Sequence, residues 1–299
     1  MFKQRVITAL LLLPLAIVFL FYPSLQTFAF ILMAVFGLLA WEWSGLLETK
    51  HAVVKYGFVA VTLAVLGFFC YQLFNIGFFE NPNHIFIQKA GTGLLEIYPF
   101  KALMVSALVW ILACILVLMF PNGTKLWTRG AALRMLFGWV MLPAAWLAIV
   151  MIRSANIAVD HYYGGFLLLL MFLIIWGADV GAYLAGKAFG KHKLSPVVSP
   201  NKTWEGFFGG LLTSMLVAYA LAVYMGMPLP LTYFIPFVIV LGIVSVFGDL
   251  FVSMLKRQAQ VKDTSNILPG HGGILDRLDS TLSVAPFFVI LLLWLKGGF

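Results

Sequence analysis

Apolar stretches of roughly 17 to 26 residues recur from one end of this chain to the other, each long enough to cross a hydrocarbon layer of about 30 Å as a helix. A soluble core cannot absorb so many of them. Hydrophobic residues make up 63% of the 299 and charged residues only 10%, where an ordinary globular domain has about 45–50% and about 25%. The runs are continuous rather than alternating. In lipid, only a helix satisfies every backbone amide within a single segment, so the expected fold class is all-α: a polytopic transmembrane helical bundle rather than a β-barrel.

Nine spans are expected, at roughly 6 to 22, 24 to 45, 56 to 79, 101 to 120, 131 to 152, 164 to 188, 205 to 226, 230 to 255 and 280 to 297. The first follows Lys3 and Arg5 and resembles a signal peptide, but no small-residue cleavage site comes after it, so it reads as an uncleaved helix. Charge then orients the bundle. With the N-terminus cytoplasmic and the C-terminus outside, the outer segments keep only Lys89, Lys101, Arg153 and Lys296 of the 19 basic residues, as the positive-inside bias requires of an odd number of spans. The net charge of +8 is thereby assigned to topology and to anionic lipid headgroups, and it calls for no nucleic-acid partner. Cys70 and Cys114 stand in apolar runs without a second ligand at metal spacing and read as small buried hydrophobes. The longest polar linker, about 79 to 101, falls on the outer side.

The halves differ in kind. Residues 1–160 carry few ionisable groups within their spans, Glu42 between Trp41 and Trp43 being the main exception, and read as scaffold helices. Residues 161–299 crowd acids, bases, glycines and hydroxyls at the cytoplasmic helix ends and read as the catalytic region. Asp249 lies near the end of an otherwise apolar helix. Inserting a carboxylate there costs about 2.5–3.5 kcal/mol, so it needs a cation, a metal or a polar cavity. Ser253, Lys256 and Arg257 follow at i+4, i+7 and i+8 on one face. Simple pairing with snorkelling cations accounts for that face as well as a reaction site does.

The next loop tips the balance. It runs from Lys262 and Asp263 to Leu268, Pro269, Gly270, His271, Gly272, Gly273 and then Asp276, Arg277 and Asp279. Three glycines in four residues allow close backbone approach to phosphate oxygens. Asp276 and Asp279 at i, i+3 open the last helix, where helix-end capping is the competing explanation. Capping leaves Lys262, His271 and Arg277 without a purpose. Asp249 and Asp276 are candidates to share a Mg²⁺, which prefers one or two carboxylates plus substrate phosphates.

The segment Ser253, Leu255, Lys256, Arg257, Lys262, Asp263, Ser265, Leu268, Pro269, His271, Gly272, Gly273, Ile274, Asp276, Arg277, Leu278, Asp279 resembles the signature of phosphatidate cytidylyltransferases, also called CDP-diacylglycerol synthases. The resemblance extends to Trp176, Gly177, Ala178, Asp179 and to Ser199, Pro200, Asn201, Lys202, Thr203, Trp204, Glu205, Gly206; the amino-terminal helices match in general character. It implies transfer of a cytidylyl group from CTP to phosphatidate, giving CDP-diacylglycerol and pyrophosphate, with Mg²⁺ on residues matching Asp249 and Asp276. A second, monovalent cation is left open. It also implies a homodimer in a bacterial inner membrane. The expected catalytic set is Asp249, Asp276, Lys256 and Arg257. Substrate contacts are expected from Lys262, Asp263, His271, Gly272, Gly273, Arg277, Asp279, Asp179, Ser199, Lys202, Thr203 and Ser253.

Asp179 adds an acid from another helix, while Gly177 to Gly181 and Gly186 to Gly190 have the spacing of close helix packing. Ser199 is expected to cap the next helix, with Pro200 in its first turn and Lys202 and Thr203 facing the phosphates. Gly181, Gly186 and Lys187 imitate a P-loop, but Ala188 replaces the required hydroxyl and no strand precedes it. A transporter is the rival class and predicts acids near mid-bilayer open to both sides.

Overall fold

The computed structural model describes residues 13–80, 98–122, 131–157, 159–227 and 230–297. Among the described residues the chain forms nine helices and one short hairpin. They are α1 (13–21), α2 (Leu25–Gly45), α3 (Ala52–Asn75), α4 (Tyr98–Met119), α5 (Ala131–Ser154), α6 (Tyr163–Phe189), the antiparallel strands β1 (Lys193–Ser195) and β2 (Ser199–Thr203), α7 (Trp204–Tyr224), α8 (Leu231–Gln258) and α9 (Leu275–Gly297). Helices α2 to α9 are each long and apolar enough to cross a membrane, and the protein is a multi-pass membrane protein with an all-α architecture. The start of the first expected span and the heart of the 79–101 linker lie outside the described residues, as do Lys3, Arg5, Lys89, Lys125 and Arg129 of the charge argument.

Three spans begin at least three residues earlier than hydropathy alone suggests, α4 at Tyr98 among them. Helix α3 starts at Ala52 and stops where Gly77 turns left-handed (φ 66°), the usual way for a helix to end on glycine. Helix α9 starts at Leu275 rather than near 280, and Asp276 and Asp279 open it, as their i, i+3 spacing leads one to expect.

Helix α5 is the axis of the bundle. From Met141 to Ser154 every residue is buried, and α2, α3, α4, α6 and α9 pack around it. A buried arginine stands at each end. Arg134 ion-pairs with Glu48 (2.8 Å) and donates to the Leu46 carbonyl, while its own carbonyl accepts from Trp43 Nε1. Arg153, fully buried, donates to the carbonyls of Phe21, Pro23 and His161. The two lie about 28 Å apart along the helix, close to a bilayer core's thickness. Each guanidinium thus binds carbonyls left unsatisfied where other helices end.

Helices α6 and α7 show how an apolar helix chooses a face in lipid. On α7, Gly206, Gly210, Ser214, Ala218 and Ala222 recur every fourth residue and are buried, whereas Phe208, Leu212 and Leu216 are exposed. Small residues face the neighbour and large ones face lipid, because lipid tails already solvate leucine and close backbone approach is what remains to be gained. A methyl group placed on Gly210 would come within 2.6 Å of the Ala178 carbonyl oxygen, and one on Gly181 within 2.6 Å of the Gly209 carbonyl oxygen. Ser214 donates across the interface to the Ile174 carbonyl (2.6 Å). Gly181→Val should therefore force α6 from α7, lowering stability by about 1–3 kcal/mol as overpacking does. Thermal unfolding of the detergent-solubilised protein will show this as a reduced midpoint, with Leu212→Val on the exposed face as the control.

Candidate active site

The C-terminal ends of α2, α6 and α8, the N-terminal ends of α7 and α9, and the β1–β2 hairpin meet at one end of the bundle. Asp249 lies on α8 about 14 Å before its end, and Asp179 about 15 Å before the end of α6. Asp249 Oδ2 ion-pairs with Lys202 Nζ at 2.6 Å, and its Oδ1 accepts from Ser253 Oγ at 3.1 Å, one helical turn on. Lys202 comes from β2, so the hairpin delivers a cation to an acid of the bundle. Asp179 and Asp279 interact electrostatically with Asp249, and Lys202, Lys256 and Arg277 lie among the cations that offset this acidic group. Asp279 is buried and accepts from the Ser280 amide at 2.7 Å.

Asp276 forms a second centre. Its Oδ1 ion-pairs with the buried Lys256 at 2.7 Å. Its Oδ2 receives the amides of Thr264 (2.8 Å) and Gly273 (2.9 Å) and the Thr264 hydroxyl (3.0 Å). One carboxylate thus ties α8, the loop and α9 together. The loop reaches it through a tight turn in which Leu268 and Gly272 exchange backbone hydrogen bonds, with Gly270 and Gly272 both left-handed (φ 76° and 82°), a conformation suited to glycine. Gly272 also lies against the Asp276 carboxylate and against Asp263, where a methyl group would sit 3.0 Å from Asp276 Oδ2.

The remaining expected residues take defined places. Arg277 Nε donates to the His271 carbonyl (3.1 Å), and the His271 ring Nδ1 is buried with no hydrogen-bond partner among the described residues. Arg257 turns to the hairpin and donates to the Val198 carbonyl (3.4 Å). Lys262 and Asp263 are exposed just beyond α8. One expectation is corrected: Ser199 does not cap a helix. It begins β2 opposite Ser195, and Thr203 is the cap of α7, its hydroxyl accepting from the Gly206 amide at 3.1 Å. The physical reason is that Lys193 pairs with Thr203, and this extended pairing delays the helix by a full turn. Thr203 is consequently buried against Gly186 and Gly190, and of the two residues expected to face the phosphates it is Lys202 that reaches an acid of the cluster.

Sequence reasoning missed Glu42 as part of this region. It comes from α2, is 2% exposed and contacts the loop around Thr264 to Leu275. The available signal was an acid isolated in an apolar helix, which marks function by default.

The donor chemistry suits a hard cation. Each oxygen of Asp249 accepts a single donor and keeps coordinating capacity, and so does Oδ1 of Asp276, whereas Oδ2 of Asp276 is saturated. Among the described residues no group of three or more metal-ligating side chains converges. Mg²⁺ commonly takes one or two carboxylates and completes its shell with substrate phosphates and water. An apolar cavity of about 280 Å³ opens between Val117 and Leu118 of α4, Val197 of the hairpin, Trp204 at the start of α7, and Val246 and Leu250 of α8, the last a neighbour of Asp249 in sequence.

The sequence profile of the cytidylyltransferase family matches residues 3–295. The chain belongs to this family. It is 36% identical over 295 residues to a phosphatidate cytidylyltransferase of Haemophilus influenzae, an alignment covering 96% of this chain and 97% of that protein. It is 39% identical to one from Pseudomonas aeruginosa, covering 99% and 98%. A Bacillus subtilis protein of the same name is 41% identical over 155 residues, 52% of this chain and 58% of that one. The enzyme class is therefore nucleotidyltransferase. Of the ion pairs at the site, Lys256–Asp276 is the more deeply buried, and removing one partner of a buried pair typically costs about 3–5 kcal/mol. Lys256→Met should show a loss of this order in denaturant titration, and the more exposed Lys202→Met a smaller one.

Proposed function

We propose that this chain is a phosphatidate cytidylyltransferase: CTP and phosphatidate give CDP-diacylglycerol and pyrophosphate. The observation that carries the reading is the gathering of two carboxylate–lysine pairs, Asp249–Lys202 and Asp276–Lys256, at one end of a membrane bundle beside a glycine loop and an apolar cavity. A lipid phosphate has those two needs, cations for its head and an apolar seat for its tails. Acids open to both faces, as a transporter would require, are not the pattern of Asp179, Asp249, Asp276 and Asp279.

An oxygen of the phosphatidate phosphate attacks the α-phosphorus of CTP in line. A P–O bond forms there as the bond to the β-phosphate breaks, and pyrophosphate leaves with the electron pair. The attacking group has a second pKa near 6 and is already largely ionised at neutral pH, so no general base is needed. Catalysis rests on positioning and on neutralising charge. Lys202, Lys256 and Arg277 supply fixed positive charge beside the acids, and the Gly272–Gly273 backbone allows close approach of phosphate oxygens. His271, whose buried ring Nδ1 has no hydrogen-bond partner among the described residues, serves as a substrate contact. Lys262, Asp263, Arg257, Ser253, Ser199 and Thr203 border or brace this space. Asp249 and Asp276 would hold Mg²⁺, which when bound supplies further neutralisation of the leaving pyrophosphate.

Orientation follows the charge asymmetry: the site faces the cytoplasm of a bacterial inner membrane, where CTP is available. A homodimer is the expected assembly. Purified protein given labelled CTP, Mg²⁺ and phosphatidate should release pyrophosphate and form a CDP-lipid; release with another lipid phosphate but not phosphatidate would change the substrate, and release with none would remove the enzyme reading. Asp249→Asn should fold as the parent does and lose at least about 100-fold in turnover, the scale on which a charge-stabilising group acts.

A further inference from the structure

We infer that Glu42 is a positioning residue for the nucleotide-transfer site, holding the loop that in turn holds Asp276; the inference rests on the cytidylyltransferase reading above. Glu42 is buried among apolar helices, yet no lysine, arginine or histidine lies within ion-pair distance of it among the described residues. An unpaired buried carboxylate is costly unless hydrogen bonds meet its oxygens. Here four do, all from the loop before α9 and the start of that helix. Oε1 accepts from Ser265 Oγ (2.6 Å) and the Ile274 amide (3.0 Å), and Oε2 from the Leu275 amide (2.5 Å) and Thr264 Oγ1 (3.3 Å).

Two carboxylates thereby divide the amides at the start of α9. Asp276 takes those of Gly273 and Thr264, and Glu42, from far away in sequence, takes those of Ile274 and Leu275, an N-terminal cap supplied in trans. Thr264 joins them. Its hydroxyl stands 3.0 Å from Asp276 Oδ2 and 3.3 Å from Glu42 Oε2, and it has a single proton to donate. Gly273 completes the joint, because a methyl group there would collide first with Thr264 Oγ1 and would also sit 2.7 Å from Glu42 Oε1. Thr264 and Glu42 together thus account for a glycine of the signature. Through this chain of contacts it fixes the direction of Asp276, and so the place of Lys256.

Glutamine cannot substitute. Each oxygen of Glu42 faces a backbone amide, so whichever way the Gln side chain is flipped its NH₂ meets a donor. Glu42→Gln, Thr264→Val, Thr264→Ser and the Glu42→Gln/Thr264→Val double variant should be compared by pyrophosphate release, by Mg²⁺ titration and by hydrogen exchange of the 264–275 amides in the full-length protein. Glu42→Gln and Thr264→Val should each lower kcat by about 10- to 100-fold, the usual effect of losing a partner that orients a ligand. Both should raise the Mg²⁺ concentration needed, with a smaller change in the KM for CTP, and Thr264→Ser should restore what Thr264→Val loses. The double variant should lose less than the product of the two single losses, because both residues hold the same loop. Exchange at Ile274 and Leu275 should quicken in Glu42→Gln. Parental kcat and Mg²⁺ dependence per folded molecule, or independent effects that multiply, would overturn the inference. If Glu42→Gln does not fold, the contrast of Thr264→Val with Thr264→Ser decides alone: equal activities refute it. Should the parent protein release no pyrophosphate at all, the functional reading fails, while the exchange data still report whether Glu42 holds the loop.

Discussion

A carboxylate carried below the surface of a membrane bundle has to find donors there, because neither water nor lipid supplies them in sufficient number. This requirement organises the reactive end of the protein. Asp249 is met by Lys202 and Ser253, Asp276 by Lys256 and two loop amides, and Glu42 by the Ser265 hydroxyl and two amides, with the Thr264 hydroxyl shared between Asp276 and Glu42. The hairpin supplies a donor to Asp249, and the loop before α9 supplies donors to both Asp276 and Glu42. Satisfying the acids therefore pins the hairpin to α8, the loop to α9 and α2 to both, so the groups proposed to carry the chemistry also close the fold.

The same constraint works at the two ends of α5. Arg134 and Arg153 are buried without solvent, and each binds carbonyls where neighbouring segments terminate. The bundle between them is held differently. Small residues on α6 and α7 bring backbones together, and the large apolar side chains turn outward to lipid. Packing sets the distance between helices, and polar satisfaction at their ends sets register. A reaction that depends on placing two phosphates relative to fixed cations needs both.

Membership of the cytidylyltransferase family and near full-length similarity to phosphatidate cytidylyltransferases agree with this arrangement. A cation suited to phosphate oxygens, Lys202, meets Asp249 on α8, and an apolar cavity is lined by Val246 and Leu250 of the same helix. An enzyme joining a water-soluble nucleotide to a lipid has to offer both surfaces at one depth. The hairpin is the element that makes this possible, since its Lys202 reaches the acids while Val197 lines the cavity.

Much of this was legible in the sequence because its signals are local. Apolar run length marked the helices, the spacing of Ser253 and Lys256 from Asp249 marked one helical face, and three glycines marked the loop. Hydropathy misplaced the start of α9, since charged residues in a first helical turn look like loop. It could not foresee that Ser199 lies in a strand, because the pairing of Lys193 with Thr203 competes with a local cap and wins only once both strands are present. Lys202 meeting Asp249, Lys256 meeting Asp276 and Glu42 meeting Leu275 depend on helices being packed side by side. Covalent neighbourhood determined which residues are helical and where charge gathers; the satisfaction of buried charge across long sequence separations, which only the packed bundle provides, decided which acid meets which donor.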